Sequence, residues 1–235
     1  LTSNLVGYVD APKFTKCLRQ NLPQDTWFDQ TEVEKYSDRQ RQKTVLLVQD
    51  PFTSFYESQL IIDSVTALRA LGFNPLILPF KANGKPQHVK GFLAKFEQTA
   101  KKATAYFNQV AELDLPMIGL DASLVFAYRD EYVEALGADQ VKFNVELLSE
   151  WLVRQSLPEL KLTSQQNYKL LTHCTEKSVL PGVGNHWINI FDRLGLAVES
   201  VNTGCCGMAG TYGHEKSNQE ISKQIYQLSW QPTLK

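Results

Sequence analysis

The sequence predicts an α/β fold: a layered, largely parallel sheet with flanking helices, carrying two degenerate pseudo-repeats. Three observations predict it. Thr44-Val-Leu-Leu-Val48 is a continuous apolar run closed by Gln49-Asp50-Pro51, the pattern of a strand buried on both faces. Apolar residues at helical spacing fill the intervals between such runs. The order of the second half repeats that of the first, with Asp50 set against Cys174 and Gly72 close to Gly195.

Each element follows in turn. Residues 1–43 are polar and mixed, with Pro12, Pro23 and a charged run from Glu32 to Lys43, and read as a lead-in segment. After the first strand, residues 57–71 place Leu60, Ile61, Val65, Leu68 and Leu71 at helical spacing, with Gly72 as the terminating residue. Phe73–Pro79 is a second strand, and residues 87–112 read as one long helix. Pro116-Met-Ile-Gly119 is a short third strand, and Asp121 is an N-cap for a helix bearing Leu124, Val125, Tyr128 and Tyr132. Val145–Gln155 reads as another helix. In the second half, residues 168–172 form a strand, 183–194 a helix closed by Gly195, and 197–202 a strand. The domain therefore runs over 44–235, with pseudo-repeats at about 44–135 and 167–235. Because it begins at Leu1, the sequence reads as a piece of a longer protein.

The bulk numbers exclude several classes. Of the side chains, 24 are basic and 25 acidic, a net charge of −1, so nothing asks for nucleic acid or an anionic membrane. No apolar run is long enough for a membrane span. The four cysteines, Cys17, Cys174, Cys205 and Cys206, are too few for a disulfide-stapled scaffold, which favours a reducing, cytoplasmic setting.

Those cysteines carry the chemistry. Ligands of parallel α/β sheets sit beyond the carboxyl ends of the strands. Cys174 directly follows one expected strand, and Cys205-Cys206 follow the next. Gly204, Gly207, Gly210 and Gly213 around the doublet would let the backbone approach a bulky ligand and turn N–H groups inward. Three soft thiols at one edge suit zinc or an iron–sulfur cluster. Small, buried, unreactive cysteines are the plainer alternative, and Cys17 is read that way. Such a site usually has four protein ligands; His173 and His214 adjoin the thiols as candidates, and Glu176 and Glu215 flank them.

His173-Cys-Thr-Glu176, followed by Gly204-Cys-Cys-Gly-Met-Ala-Gly-Thr-Tyr-Gly-His-Glu215, resembles the cysteine-rich "CCG" domain of flavin- and iron–sulfur-containing 2-hydroxyacid dehydrogenases. Val48-Gln-Asp-Pro-Phe-Thr53, Leu78-Pro-Phe80, His88-Val-Lys-Gly-Phe92 and Tyr128-Arg-Asp-Glu-Tyr132 look closest to the long bacterial D-2-hydroxyglutarate dehydrogenase-like branch. The resemblance implies oxidation of a D-2-hydroxyacid by FAD, with electrons passed on through iron–sulfur centres. It implies metal ligation by Cys174, Cys205 and Cys206, with the family's further cysteine pair absent from this sequence. It also implies upstream flavin and ferredoxin-like domains as partners in the same parent chain, and a cytoplasmic enzyme open to peripheral membrane association through that parent. No glycine-rich dinucleotide loop or ferredoxin run is present here, so FAD belongs to the upstream domain and this piece alone is expected to be inactive. A non-catalytic docking or thiol-regulatory module is the alternative.

The first pseudo-repeat has Asp50 where a cysteine would sit and Phe80-Lys81 near the place of the doublet, so no cluster is expected there. The lysines of residues 81–102 could receive a carboxylate substrate or an acidic partner, but read more simply as the wet face of a helix; His88 and Lys90 stand out among them. Arg129 is expected to pair with a carboxylate on its own helix surface.

Overall fold

The computed structural model describes residues 7–10, 13–15, 17–160 and 167–235, which divide into two compact units: Phe14–Pro158, and Glu159–Lys235 together with Leu1–Lys13.

The first unit opens with three short helices, α1 (Leu18–Asn21), α2 (Gln30–Val33) and α3 (Asp38–Lys43). Asp29 caps α2 by accepting from the Thr31 and Glu32 N–H groups. The body follows as β1 (Thr44–Leu47), α4 (Pro51–Phe55), α5 (Ser58–Ala70), β2 (Asn74–Ile77), α6 (Lys85–Val89), α7 (Leu93–Ala111), β3 (Met117–Gly119), α8 (Ala122–Arg129), α9 (Glu131–Leu136), β4 (Val145–Leu147) and α10 (Leu148–Leu152). The strands form one sheet in the order β2-β1-β3-β4, and every pair is parallel. All four residues of β1 are buried, as a central strand covered on both faces requires. Phe96, Ala100, Ala103, Phe107 and Val110 bury one face of α7, which packs against α6 and α9.

Three expectations change in detail. The expected helix over 87–112 is two helices, because Gly91 takes a left-handed φ of +76° between them. Residues 145–147 pair with β3 as a strand, so the helix expected from Val145 begins only at Leu148. The lead-in is also tied to the sheet: Leu18 packs with Leu47, Ile61, Val65 and Ile77, and the Phe28 N–H donates to the Ile77 carbonyl.

The second unit continues with β5 (Tyr168–Leu171), α11 (Cys174–Val179), α12 (Val183–Arg193), β6 (Val198–Val201) and α13 (Gln219–Leu234). β5 and β6 are parallel. Val183 and Ile190 bury the inner stripe of α12. Residues 7–10 add an antiparallel bridge, Tyr8 to Glu215, and the Val9 N–H donates to the His214 carbonyl.

The order strand, short helix, long helix, strand occurs in both units. Thr44 pairs with Asn74 and Tyr168 with Val198, each partner thirty positions further on. Gly72 (φ +86°) and Gly195 (φ +76°) end the long helices, and the following residues donate back to the Leu68 and Phe191 carbonyls.

Candidate functional site: a thiol edge

The parallel pairing of β5 with β6 brings their carboxyl ends to one edge. Cys174 is the first residue of α11, directly beyond β5, and Cys205-Cys206 lie in the loop beyond β6. Cys174 and Cys205 are neighbours, close enough for each thiol to influence the other. Burial pushes the Cys174 thiol up, and the neighbouring charge and hydrogen bond of Cys205 push the same way. Hydrogen bonds from Thr175 oppose them.

The doublet loop is clamped from below. The Gly207 N–H points at Cys205 Sγ (3.4 Å), an inward donor of the kind expected of these glycines. The Gly204 N–H donates to Ser229 Oγ (3.1 Å), and the Gly204 carbonyl accepts from Trp230 Nε1 (3.0 Å). Lys177 Nζ, one turn beyond Cys174, donates to the Thr203 carbonyl and so ties α11 to the loop. The tight backbone at Gly204, Gly207 and Gly213 faces α13 and the loop's own Met208, where an added Cβ would meet Ser229, Ser222 and Met208. Gly210 adopts a left-handed φ of +66°.

The histidines are placed differently from the thiols. His173 precedes Cys174, is exposed and makes no side-chain cap. His214 Nδ1 lies 2.8 Å from Asp10 Oδ1. Among the described residues, no group of three or more His, Cys, Asp or Glu side chains is gathered as a metal-holding set. The structure thus unites Cys174 with Cys205, while Cys206 follows in the chain and is half-buried. The donor chemistry fits iron–sulfur ligation: two neighbouring soft sulfurs, a third adjacent in sequence, and a backbone N–H directed at sulfur. Ser222, Ser229, Trp230 and Lys177, which hold the loop, had no sequence signal beyond their proximity to the doublet. A cleft of about 630 Å³, lined in part by Asn167, Asn189 and Ala197, lies at the opposite, amino end of β5 and β6.

In the first unit the corresponding edge is polar. Asp50 is 1% exposed and accepts from the Phe52 (2.8 Å) and Thr53 (2.9 Å) N–H groups and from the Thr53 hydroxyl, so it caps α4. Burial raises its pKa, the Thr53 hydrogen bonds lower it, and Asp121 nearby raises it again. Asp121 caps α8 through the Leu124 N–H, as expected. Lys85 pairs with Glu131, and the His88 ring packs tilted against Phe96, with centroids 4.8 Å apart. Lys101 pairs with Glu97 on an exposed face. Arg129 holds Glu150 with both terminal nitrogens (3.1 and 2.7 Å) and the Val145 carbonyl through Nε, so its carboxylate partner lies on α10.

These features define a two-unit α/β protein with a paired-thiol edge. Among proteins of known name, the chain is 47% identical over 97% of its length to D-2-hydroxyglutarate dehydrogenase of Pantoea ananatis. It is 44% identical over its whole length to the enzyme of the same name from Escherichia coli K12. It is 28% identical over 74% of its length to one of the subunits of anaerobic glycerol-3-phosphate dehydrogenase from E. coli K12. The chain spans 23% of the length of the first two relatives and 46% of the third. No family model matches the sequence, and no solved structure matches it. No helix among the described residues is long and apolar enough to cross a membrane.

Proposed function

We propose that this chain is an iron–sulfur, electron-transferring domain of a flavin-dependent oxidoreductase that acts on a D-2-hydroxyacid. The observation that carries the reading is the meeting of Cys174 and Cys205 at the carboxyl edge of a parallel strand pair. The similarity to enzymes named for D-2-hydroxyglutarate supports the substrate class. In this reading Cys174, Cys205 and Cys206 hold the cluster, and further ligands come from sequence outside these 235 residues. A bound cluster supplies one-electron transfer between the flavin and an acceptor. The Gly207 N–H stabilises charge on the Cys205 sulfur, and Lys177 fixes the separation of the two thiol-bearing loops. FAD and a ferredoxin-like segment belong to other domains of the parent chain, and the parent works in the cytoplasm.

The test is iron. A version of the chain extended to the full length of its relatives, purified without oxygen, is expected to be brown, with broad absorbance near 400 nm. Cys174→Ser and Cys205→Ser should each lower the iron content by the share of one cluster, leaving the iron of the ferredoxin-like segment in place. A colourless, iron-free extended protein would overturn the reading.

The closeness of the Cys174 and Cys205 thiols also favours a second reading, a non-catalytic thiol switch. Cys174 and Cys205 would form a disulfide, passing two electrons and two protons to a peroxide or disulfide oxidant. A Cys174–Cys205 linkage found by mass spectrometry in iron-free native protein would establish it.

A further inference from the structure

The two units match at one constant offset. Gly72 and Gly195, and likewise Gly84 and Gly207, are left-handed glycines 123 positions apart. The Leu68 and Phe191 carbonyls, at the same offset, accept from Phe73 and Leu196. α13 holds the place of α7: a Cβ added at Gly84 would meet Phe96 of α7, and one added at Gly207 would meet Ser222 of α13. In the first unit α7 is the crossover that carries the chain from β2 past β1 to β3, giving the order β2-β1-β3.

That third strand has no counterpart among the described residues of the second unit, where β5 pairs with β6 alone. Tyr168 and Lys169 are exposed and Leu170 and Leu171 half-buried, whereas all of β1 is buried. Parallel sheets are normally covered, and an open edge presents a row of unpaired backbone groups. The Tyr168 N–H donates to the Ala197 carbonyl on the β6 side, so strand alternation turns the Lys169 and Leu171 N–H groups to the open edge. Their counterparts at the 123 offset are Leu46 and Val48, whose N–H groups donate to the Pro116 and Ile118 carbonyls of the β3 segment (both 2.8 Å). α13 is uncovered as well. Its Ile221 and Leu228 are 51% and 82% exposed, whereas α7 packs on α6 and on α9, the latter reached only after β3.

We infer that the open edge of β5 receives a third parallel strand from the parent chain, the counterpart of β3, followed by a helix that covers Ile221 and Leu228. Counted on by 123, Met117–Gly119 falls at 240–242, outside these 235 residues. The chain spans 23% of the length of its D-2-hydroxyglutarate dehydrogenase relatives, which leaves ample sequence to supply such a segment. Because the added strand runs parallel to β5, the loop after it opens on the same edge as Cys174 and Cys205. The inference uses no thiol and stands whether or not iron is bound.

The test is hydrogen exchange, read amide by amide, in the 235-residue chain and in a version extended to the full length of its relatives. In the extended protein the Lys169 and Leu171 amides should exchange at least about tenfold more slowly, the protection that pairing confers. The Leu46 and Val48 amides, already paired, should keep their rates. The same slowing is expected in a version extended only beyond Lys235, through the counterpart of α9, and with Cys174→Ser in either. Unchanged exchange at Lys169 and Leu171 would overturn the inference. So would slowing that requires the upstream domains, which would assign the edge to one of them. Slowing abolished by Cys174→Ser would assign it to a bound cluster and overturn the inference too. Because the readout persists with Cys174→Ser, its failure and that of the iron test are distinguishable.

Discussion

A Cβ added to Gly207 would stand 2.3 Å from the carbonyl oxygen of Ser222. Gly207 also has a φ of +86°, a region that costs an L-residue roughly 1–2 kcal/mol. Both facts arise because the thiol loop is pressed onto α13, and they bear on how rigidly Cys205 is presented. Gly207→Ala is therefore expected to destabilise the 159–235 unit by about 2–4 kcal/mol, strain and overpacking together. Gly195→Ala, with a similar φ of +76° but nothing within 4 Å of its Cβ, should cost only about 1–2 kcal/mol. Hydrogen exchange of peptides from 168–230 separates the two. Equal acceleration in both variants would show that α13 does not press on the loop.

Arg129 ties three elements together: its own helix α8, the β4 carbonyl at Val145 and Glu150 of α10. Both partners of the ion pair are mostly covered, with 25% and 14% of their side chains exposed. Loss of one partner strands the other, so Arg129→Met should destabilise the 14–158 unit by about 2 kcal/mol, less than for a fully buried pair. Arg129→Lys should recover only part of this, because an ammonium cannot grip both carboxylate oxygens and the carbonyl at once. Urea denaturation checks both.

How much of this could be read in the sequence depended on whether apolar pattern and backbone agreed. β1, β2 and β3 are short runs bounded by Asp, Pro or Gly, and both signals pointed one way. At Val145 they did not. The three-residue strand passes into α10 without a turn residue, so Val145, Leu148 and Leu152 read as a single helical stripe. The stripe through Val89, Phe92 and Phe96 likewise ran across Gly91, although Val89 and Phe92 are 68% and 58% exposed. α13 carried no usable signal, because the residues it sets against the thiol loop are Ser222, Ser229 and Trp230. The Cys174–Cys205 meeting was legible from a general rule, that parallel strands bring their following loops to a common edge. The partnership of His214 with Asp10 was not, since it joins residues from opposite ends of the sequence.

Asp50 predicts a pH effect. Its pKa is raised in the folded protein chiefly by burial, so folding favours the protonated form. Its contribution to stability is therefore fully present below the unfolded value near 3.8 and is lost as pH rises through the higher folded value. Asparagine retains the cap on α4 and has no charge to bury. The Tm of Asp50→Asn relative to the parent should thus climb as pH is raised from about 3.5 towards neutrality. A difference that stays flat or falls over that range would show that the carboxylate is charged in the fold at no cost.

The thiols differ enough in setting to be ranked. Cys17 is exposed; Cys174 is partly buried, lies beside Cys205 and has its pKa pushed up by burial. Alkylation proceeds through the thiolate, so exposure favours Cys17 and the raised pKa slows Cys174. With a limiting amount of iodoacetamide near neutral pH, Cys17 should be labelled at least severalfold faster than Cys174, as read by peptide mass spectrometry. Cys205→Ser removes the sulfur whose charge and hydrogen bond raise the Cys174 pKa, and should speed labelling of Cys174. Cys206→Ser leaves that partnership intact and should change the rate little. Acceleration by Cys206→Ser and not by Cys205→Ser would place Cys206, rather than Cys205, beside Cys174, and would redraw the thiol edge.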